Sequence, residues 1–173
     1  MTMLFAVLLT VAHAGDTLAT LTADYPVVAP SPVAVAPGLV ETTRPRGGAV
    51  GLHEEVVPHL WVGGELLGAS STEMLLGGGG LRVDGQLGDR WFGSAGALVG
   101  GASVMLSSGP GVQTGAHYSG GGFLLAPRVM GGFQGQRVGA GLGVEHRMVR
   151  GEPSVGGLDH TVVSLTLRTP LGG

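Results

Sequence analysis

The stretch QRVGAGLGVEHRMV, at residues 136–149, constrains the fold most because its side chains alternate with a period of two. One set of alternate residues, from Val138 to Met148, is mainly aliphatic. The other set, from Arg137 to Arg147, consists of glycine and charged residues. This alternation is typical of a β-strand whose two faces meet different surroundings. The stretch is longer than the roughly five or six residues of a usual globular strand, and a tilted strand that crosses a membrane needs about 9–11. It therefore predicts either a transmembrane barrel strand or a long strand in a soluble two-layer sheet.

Five further runs have a similar length and pattern: residues 57–67, 73–87, 91–106, 113–130 and 158–171. The run 113–130 contains Pro127, which cannot donate a ladder hydrogen bond, so we expect this proline near a strand end or at a bulge. Short links (GDR, FQGQ) alternate with longer polar ones (SSGPG, RGEPSVGG), a pattern typical of bacterial outer-membrane barrels. The sequence thus predicts six strands, or eight if residues 15–25 and 47–56 also pair.

The amino-terminal region carries two different signals. Residues 1–14 form an apolar run that ends in Ala12 and Ala14, which predicts a signal peptide cleaved after Ala14. Five prolines between Pro26 and Arg46 favour an extended, polyproline-like chain. We therefore expect a signal peptide at 1–14, a proline-rich periplasmic segment at 15–55 and a β-barrel domain at 56–171.

The apolar leader, strands such as RVGAGLGVEHRMV and HTVVSLTLR, and the alternation of short and long links together resemble small outer-membrane β-barrel proteins of the OmpA/OmpX type. The resemblance covers roughly residues 56–171 and rests on pattern, not on a signature motif. It implies an all-β, antiparallel up-and-down meander closed into a small transmembrane barrel of the bacterial outer membrane. Outer-membrane lipid would be its partner. A six-stranded sheet would form an unusually narrow barrel or close by self-association, because an open sheet edge is not tolerated in lipid.

Composition narrows the functional classes. The chain has no cysteine, so an exported protein of this length must be stable without disulfides. Its formal net charge is −3 and it has no basic patch, which argues against nucleic-acid binding. The 35 glycines lie within β-patterned runs, where they suit a crowded interior such as that of a small barrel.

Charged side chains on the polar faces of these strands form the candidate site. If the alternation holds, seven of them point into the lumen: Glu65, Arg82, Asp84, Arg137, Glu145, Arg147 and Arg168. Buried charges of this kind must be paired or hydrated, so we expect a salt-bridge network that plugs the barrel, or else a small selective pore. Four aromatic residues fall near the short-turn end and predict an aromatic rim: Trp61, Trp91, Phe92 and Phe133. Trp61 shares its parity with Glu65 and could face inward.

Catalytic and cofactor signals are weak. His53, Glu54, Glu55 and His59 do not have zinc-helix spacing, so we expect no metal and no cofactor. His117 and Ser119 faintly resemble the His-x-Ser pair of lipid A deacylases, which leaves a lipid-modifying enzyme as a third hypothesis. The first is a non-enzymatic outer-membrane protein with a structural, surface or minor channel role. The second is a soluble, secreted, glycine-rich β-sandwich that binds a ligand.

Overall fold

The computed structural model describes residues 17–27, 31–33, 45–71, 74–107, 117–151 and 157–171. The predicted signal peptide at 1–14 lies outside this part of the chain. Within this part of the chain, no helical segment has the length and hydropathy of a transmembrane span.

The described residues form nine β-strands in one antiparallel sheet. Eight of them are long, and one has three residues. In chain order they are β1 (Thr17–Pro26), β2 (Ser31–Val33), β3 (Arg46–Val57), β4 (Leu60–Ser70), β5 (Met74–Leu87), β6 (Trp91–Ser107), β7 (His117–Gln134), β8 (Gly139–Gly151) and β9 (Gly157–Pro170).

Pairing between the first and last long strands closes the sheet. β1 pairs with β3 on one side and with β9 on the other, from Leu18 opposite Pro170 to Pro26 opposite Val162. The short β2 continues along β9 beyond the end of β1, where Ser31 lies opposite Asp159. The eight long strands therefore form a closed up-and-down barrel, which confirms the predicted fold class and its eight-stranded form.

Two of the eight strands come from the region expected to precede the barrel. β1 and β3 correspond to the stretches 15–25 and 47–56, so the barrel begins at Thr17 and not at residue 56. The proline-rich stretch is therefore a connection between β1 and β3, not a leading segment. The physical reason is closure, because a sheet of β4 to β9 alone would leave two strand edges unpaired.

The connections divide between the two ends of the barrel. Turns 58–59, 88–90 and 135–138 lie at one end, together with the start of β1 and the end of β9. We call this the short-turn end. The ends of β4, β6 and β8 and the starts of β5, β7 and β9 lie at the opposite end, where the longer links of the sequence, such as 108–116, join the strands. Two tight turns need a left-handed backbone, with φ of 68° at His59 and 79° at Gly88.

The two faces of each strand differ as the alternation predicted. On β8, Leu142 and Val144 are 63% and 51% exposed on the outside, whereas Gly143 and Glu145 face the interior. On β9, Leu165 is 48% exposed and Arg168 is buried. The aliphatic side chains therefore cover the outside of a closed cylinder. They are not enclosed between two layers, so the soluble sandwich hypothesis is wrong.

Pro127 lies within β7 and not at its end. Pairing of β7 with β8 is interrupted between Leu125, opposite Met148, and Arg128, opposite Glu145. The missing proline N–H accounts for this local gap, while the opposite edge of β7 still places Pro127 against Ala97 of β6.

The interior is divided along the barrel axis. Aliphatic side chains fill the half near the longer connections, and Leu76, Leu98 and Leu124 among them are at most 1% exposed. Charged and polar side chains occupy the middle and the short-turn end. Glycines let the strands crowd together: a Cβ on Gly100 of β6 would lie 2.1 Å from the Gly79 carbonyl oxygen and 2.6 Å from the Gly80 Cα.

Substituting alanine at two glycines of β6 tests this crowding. Gly100→Ala should lower the free energy of unfolding by about 1–3 kcal/mol, because the new methyl group meets backbone that cannot rotate away. Gly93→Ala is the matched control, since a Cβ there meets nothing within 4 Å. It should change stability by less than about 1 kcal/mol. Urea unfolding of the refolded variants measures both, and equal losses would contradict the crowding argument.

Candidate functional site

Eight ionisable side chains form the charged interior. Each is at most 7% exposed, and four arginines face four carboxylates: Asp24, Glu65, Arg82, Asp84, Arg128, Glu145, Arg147 and Arg168. We call this set the interior charge network. Equal numbers of each sign allow such a set to be buried without a net charge.

Seven of the eight side chains form a continuous alternating chain of ion pairs. Arg147 contacts Asp24 and Glu145, each at 2.6 Å. Arg82 joins Glu145 to Glu65, the latter at 2.6 Å. Arg128 then reaches Glu65 at 3.6 Å and Asp84 at 2.9 Å. Every arginine in this chain bridges two carboxylates.

These ion pairs cross the lumen. Arg82 of β5 meets Glu145 of β8, and Glu65 of β4 meets Arg128 of β7, although neither pair of strands is adjacent in the sheet. The first is a charge-assisted hydrogen bond, a strong kind of hydrogen bond in proteins, and the second is an ion pair at 3.6 Å. The side chains therefore tie opposite walls of the barrel together and occupy the centre of its interior.

Six of the seven predicted lumen charges lie in this interior: Glu65, Arg82, Asp84, Glu145, Arg147 and Arg168. Arg137 instead lies exposed in the turn 135–138, because β8 begins only at Gly139 and the strand alternation does not extend back to it. Sequence reasoning missed Asp24 and Arg128. Arg128 has the same parity as the buried Ala126 and Met130, a signal that the irregular run around Pro127 obscured.

The four predicted rim aromatics all lie at the short-turn end, but some point outward and others point into the barrel. Trp91 is 75% exposed on the outside and makes an edge contact with Phe133 at 5.2 Å between ring centroids. Trp61 and Phe92 point inward. Their ring centroids lie 5.9 Å and 4.4 Å from the Arg168 guanidinium, a cation–π arrangement.

A small polar chamber lies inside the short-turn end, with a volume of about 20 Å³ open to the centre of a water molecule. That is enough for one or a few waters. Its walls come from seven strands: Leu18, Thr20, His53, Trp61, Asp84, Gln86, Ser94, Arg128, Met130 and Arg168. Gln86, which is partly exposed, donates a hydrogen bond to the carbonyl of Gly88 in the adjacent turn at 3.1 Å. The chamber therefore reaches to the short-turn end.

The residues weighed for catalysis and metal binding are not gathered into a site in the described part of the chain. The side chains of His117 and Ser119 lie outside the description. His53 is buried and shares a 3.1 Å hydrogen bond with Thr20, whereas His59 lies exposed in the turn 58–59. Among the described residues, no group of three His, Cys, Asp or Glu side chains is suited to hold a metal ion.

Comparison with known proteins adds to this geometry. The sequence matches the profile of no protein family, and no curated protein matches it in sequence. Solved structures do match, and the fold they share is that of small eight-stranded outer-membrane β-barrels.

Three of these structures show the extent of the likeness. Neisserial surface protein A (NspA) superimposes with a TM-score of 0.61 at 8% identity, covering 90% of this chain and 94% of that one. The N-terminal β-barrel domain of Pseudomonas aeruginosa OprF gives 0.56 at 8% identity, covering 90% and 99%. Ail, the attachment invasion locus protein of Yersinia pestis, gives 0.55 at 11% identity, covering 91% and 99%. At these identities the likeness establishes the fold alone.

Arg82 provides a test of the interior charge network. Arg82→Leu should lower the free energy of unfolding by about 3–5 kcal/mol, because it removes the shared partner of two buried glutamates. Arg150→Leu is the matched control: this arginine pairs with Asp159 at 2.5 Å, but its side chain is 50% exposed, so the loss should stay below about 1 kcal/mol. Urea unfolding of both variants measures the difference. Similar losses would mean that the buried pairs add nothing beyond a surface pair.

Proposed function

We propose that this chain is a non-enzymatic bacterial outer-membrane protein whose barrel is closed to solutes and serves a structural or surface role. The observation that carries the proposal is the filled interior. Ion pairs such as Arg82 with Glu145 cross the lumen, and a buried aliphatic cluster lies between them and the longer connections. Side chains that fill the interior of an eight-stranded barrel in this way, as they do in the described part of the chain, stabilise its walls and oppose a water-filled path.

The outer surface supports the membrane part of the proposal. Aliphatic side chains stand exposed along the strands, including Leu66 at 66%, Val129 at 66% and Leu142 at 63%. Such a surface is far more apolar than a soluble protein of this size normally presents to water. The exposed Trp91, with Phe133 beside it, is placed as interfacial aromatics are in outer-membrane barrels. The neighbours in fold are themselves outer-membrane barrels, one of them named for attachment and invasion.

A minor channel is the second candidate, and the polar chamber at the short-turn end is the observation in its favour. The chamber provides polar space only at the short-turn end of the lumen. A channel would need a further path past Leu98 and Leu124, which are fully buried within the aliphatic cluster. The closed barrel therefore remains the preferred proposal.

Arginine substitutions at two outward positions test membrane insertion. Val144 lies near the middle of β8, whereas Leu87 ends β5 beside the turn 88–90. In lipid vesicles, Val144→Arg should cost about 2–4 kcal/mol of folding free energy, and Leu87→Arg, the matched control near the interface, about 0–1. In a water-soluble barrel both positions would tolerate arginine equally. Equal, small losses would therefore contradict the membrane assignment.

Conductance in planar lipid bilayers tests the closed interior. The refolded protein should insert without producing defined current steps, since the buried aliphatic cluster around Leu98 and Leu124 occupies the lumen. Insertion is verified separately by the heat-dependent gel migration of the folded barrel recovered from the same lipid. Reproducible unitary steps from inserted protein would favour the channel over the closed barrel.

A further inference from the structure

We propose that the polar chamber at the short-turn end is a binding site for a small monovalent anion, with Arg168 as its principal ligand. The chamber adjoins the Arg128–Asp84 end of the lumen-crossing ion pairs, but Arg168 is not part of that chain. The proposal does not depend on whether the barrel conducts.

Arg168 differs from the other three interior arginines. Arg82, Arg128 and Arg147 each lie within ion-pair distance of two carboxylates, whereas Arg168 has no such partner among the described residues. It is 6% exposed, and its buried Nη1 has no hydrogen-bond partner in the described part of the protein. An isolated buried cation is costly unless a countercharge or solvent compensates it.

Stacking holds this guanidinium in place at the chamber wall. Its carbon atom lies 4.4 Å from the Phe92 ring centroid and 5.9 Å from that of Trp61. Aromatic faces satisfy the positive charge in part but accept no strong hydrogen bond. The N–H groups of Arg168 are therefore positioned, and they remain available to a ligand in the chamber.

Other donors line the same space. Trp61 Nε1 and Arg128 Nε are buried without a partner among the described residues, and both groups can only donate hydrogen bonds. Two guanidinium groups and one carboxylate, Asp84, carry the fixed charges of the lining. Arg128 already holds the Asp84 Oδ2 at 2.9 Å. The same lining also holds unpartnered acceptors, among them Gln86 Oε1 and Asp84 Oδ1. What favours an anion is therefore the net positive charge of two guanidinium groups against one carboxylate.

Size and charge restrict which anion fits. The volume of about 20 Å³ open to the centre of a water molecule suits a ligand no larger than a halide ion or a few waters. The unpartnered Asp84 Oδ1 disfavours a second negative charge on the ligand. Sulfate and larger organic anions are therefore excluded, and the remaining competitor is water alone.

The two tryptophans of the chain provide a direct reporter. Trp61 lines the chamber, whereas Trp91 lies 75% exposed on the outer surface. In a Trp91→Phe variant, refolded in detergent, iodide should quench the Trp61 fluorescence along a saturating curve. Chloride, added at constant ionic strength, should reverse this quenching, and sulfate should not. In a Trp61→Phe variant, Trp91 should show only linear quenching that chloride does not affect.

Substitution of the ligand residue completes the experiment. Arg168→Gln in the Trp91→Phe background should lose the saturable, chloride-sensitive component, and Arg168→Lys should keep it in weakened form because the charge remains. Heat-dependent gel migration checks that each variant is folded. If neither Arg168 variant folds, the chloride-against-sulfate comparison in the Trp91→Phe protein decides alone. Linear quenching of Trp61 that chloride leaves unchanged would overturn the proposal and assign the chamber to water only. Saturable quenching that survives Arg168→Gln would overturn it as well, because Arg168 would then not be the ligand.

Discussion

Closure of the sheet by pairing of β1 with β9 is the constraint on which the rest of the structure depends. Without it, the long edges of β1 and β9 would each present a row of unpaired backbone groups, which lipid does not tolerate. Nine residue pairs join the two strands, from Leu18 opposite Pro170 to Pro26 opposite Val162. Asp24 of β1 then reaches across β9 to Arg147 of β8 at 2.6 Å. This interior ion pair therefore joins β1 to β8 across β9, and so it spans the β1–β9 pairing that closes the sheet.

The narrow lumen explains why glycine and arginine dominate the same inner surface. Eight strands leave an interior just wide enough for side chains to fill. Where neighbouring strands crowd, as at Gly80 and Gly100, only glycine fits. Where the opposite wall must be reached, a long side chain with a directional head is needed, and Arg82 provides it by bridging Glu65 and Glu145. Glycine is therefore needed where neighbouring strands approach each other, and arginine is needed where an ion pair must cross the lumen.

The sequence predicted most of the fold and part of the site, for a physical reason. A period of two fixes which side chains share a face whatever the partner strands are, so the outward Val144 and the inward Glu145 could be assigned from β8 alone. The closure of the barrel could not be predicted from this alternation. β1 has a weak pattern, and its place in the barrel follows only from its pairing with β9. Nor could the ion-pair partners be read, because Glu65 and Arg128 lie on strands that meet only across the lumen. Arg137 shows the limit of alternation, which ends where the strand ends.

The charge balance of the interior sets the character of the chamber. The lumen-crossing chain contains three arginines and four carboxylates, so Arg168, which lies outside it, brings the whole interior to neutrality. Its countercharge is therefore shared along the chain, and even Asp84, which lines the same chamber, makes no ion-pair contact with it in the described part of the protein. Coulomb attraction falls with distance, so a separated countercharge stabilises the guanidinium less than a contacting carboxylate would. A contacting carboxylate would also occupy the N–H groups. The separation leaves Arg168 both buried and able to bind, a combination that the three fully paired arginines do not have.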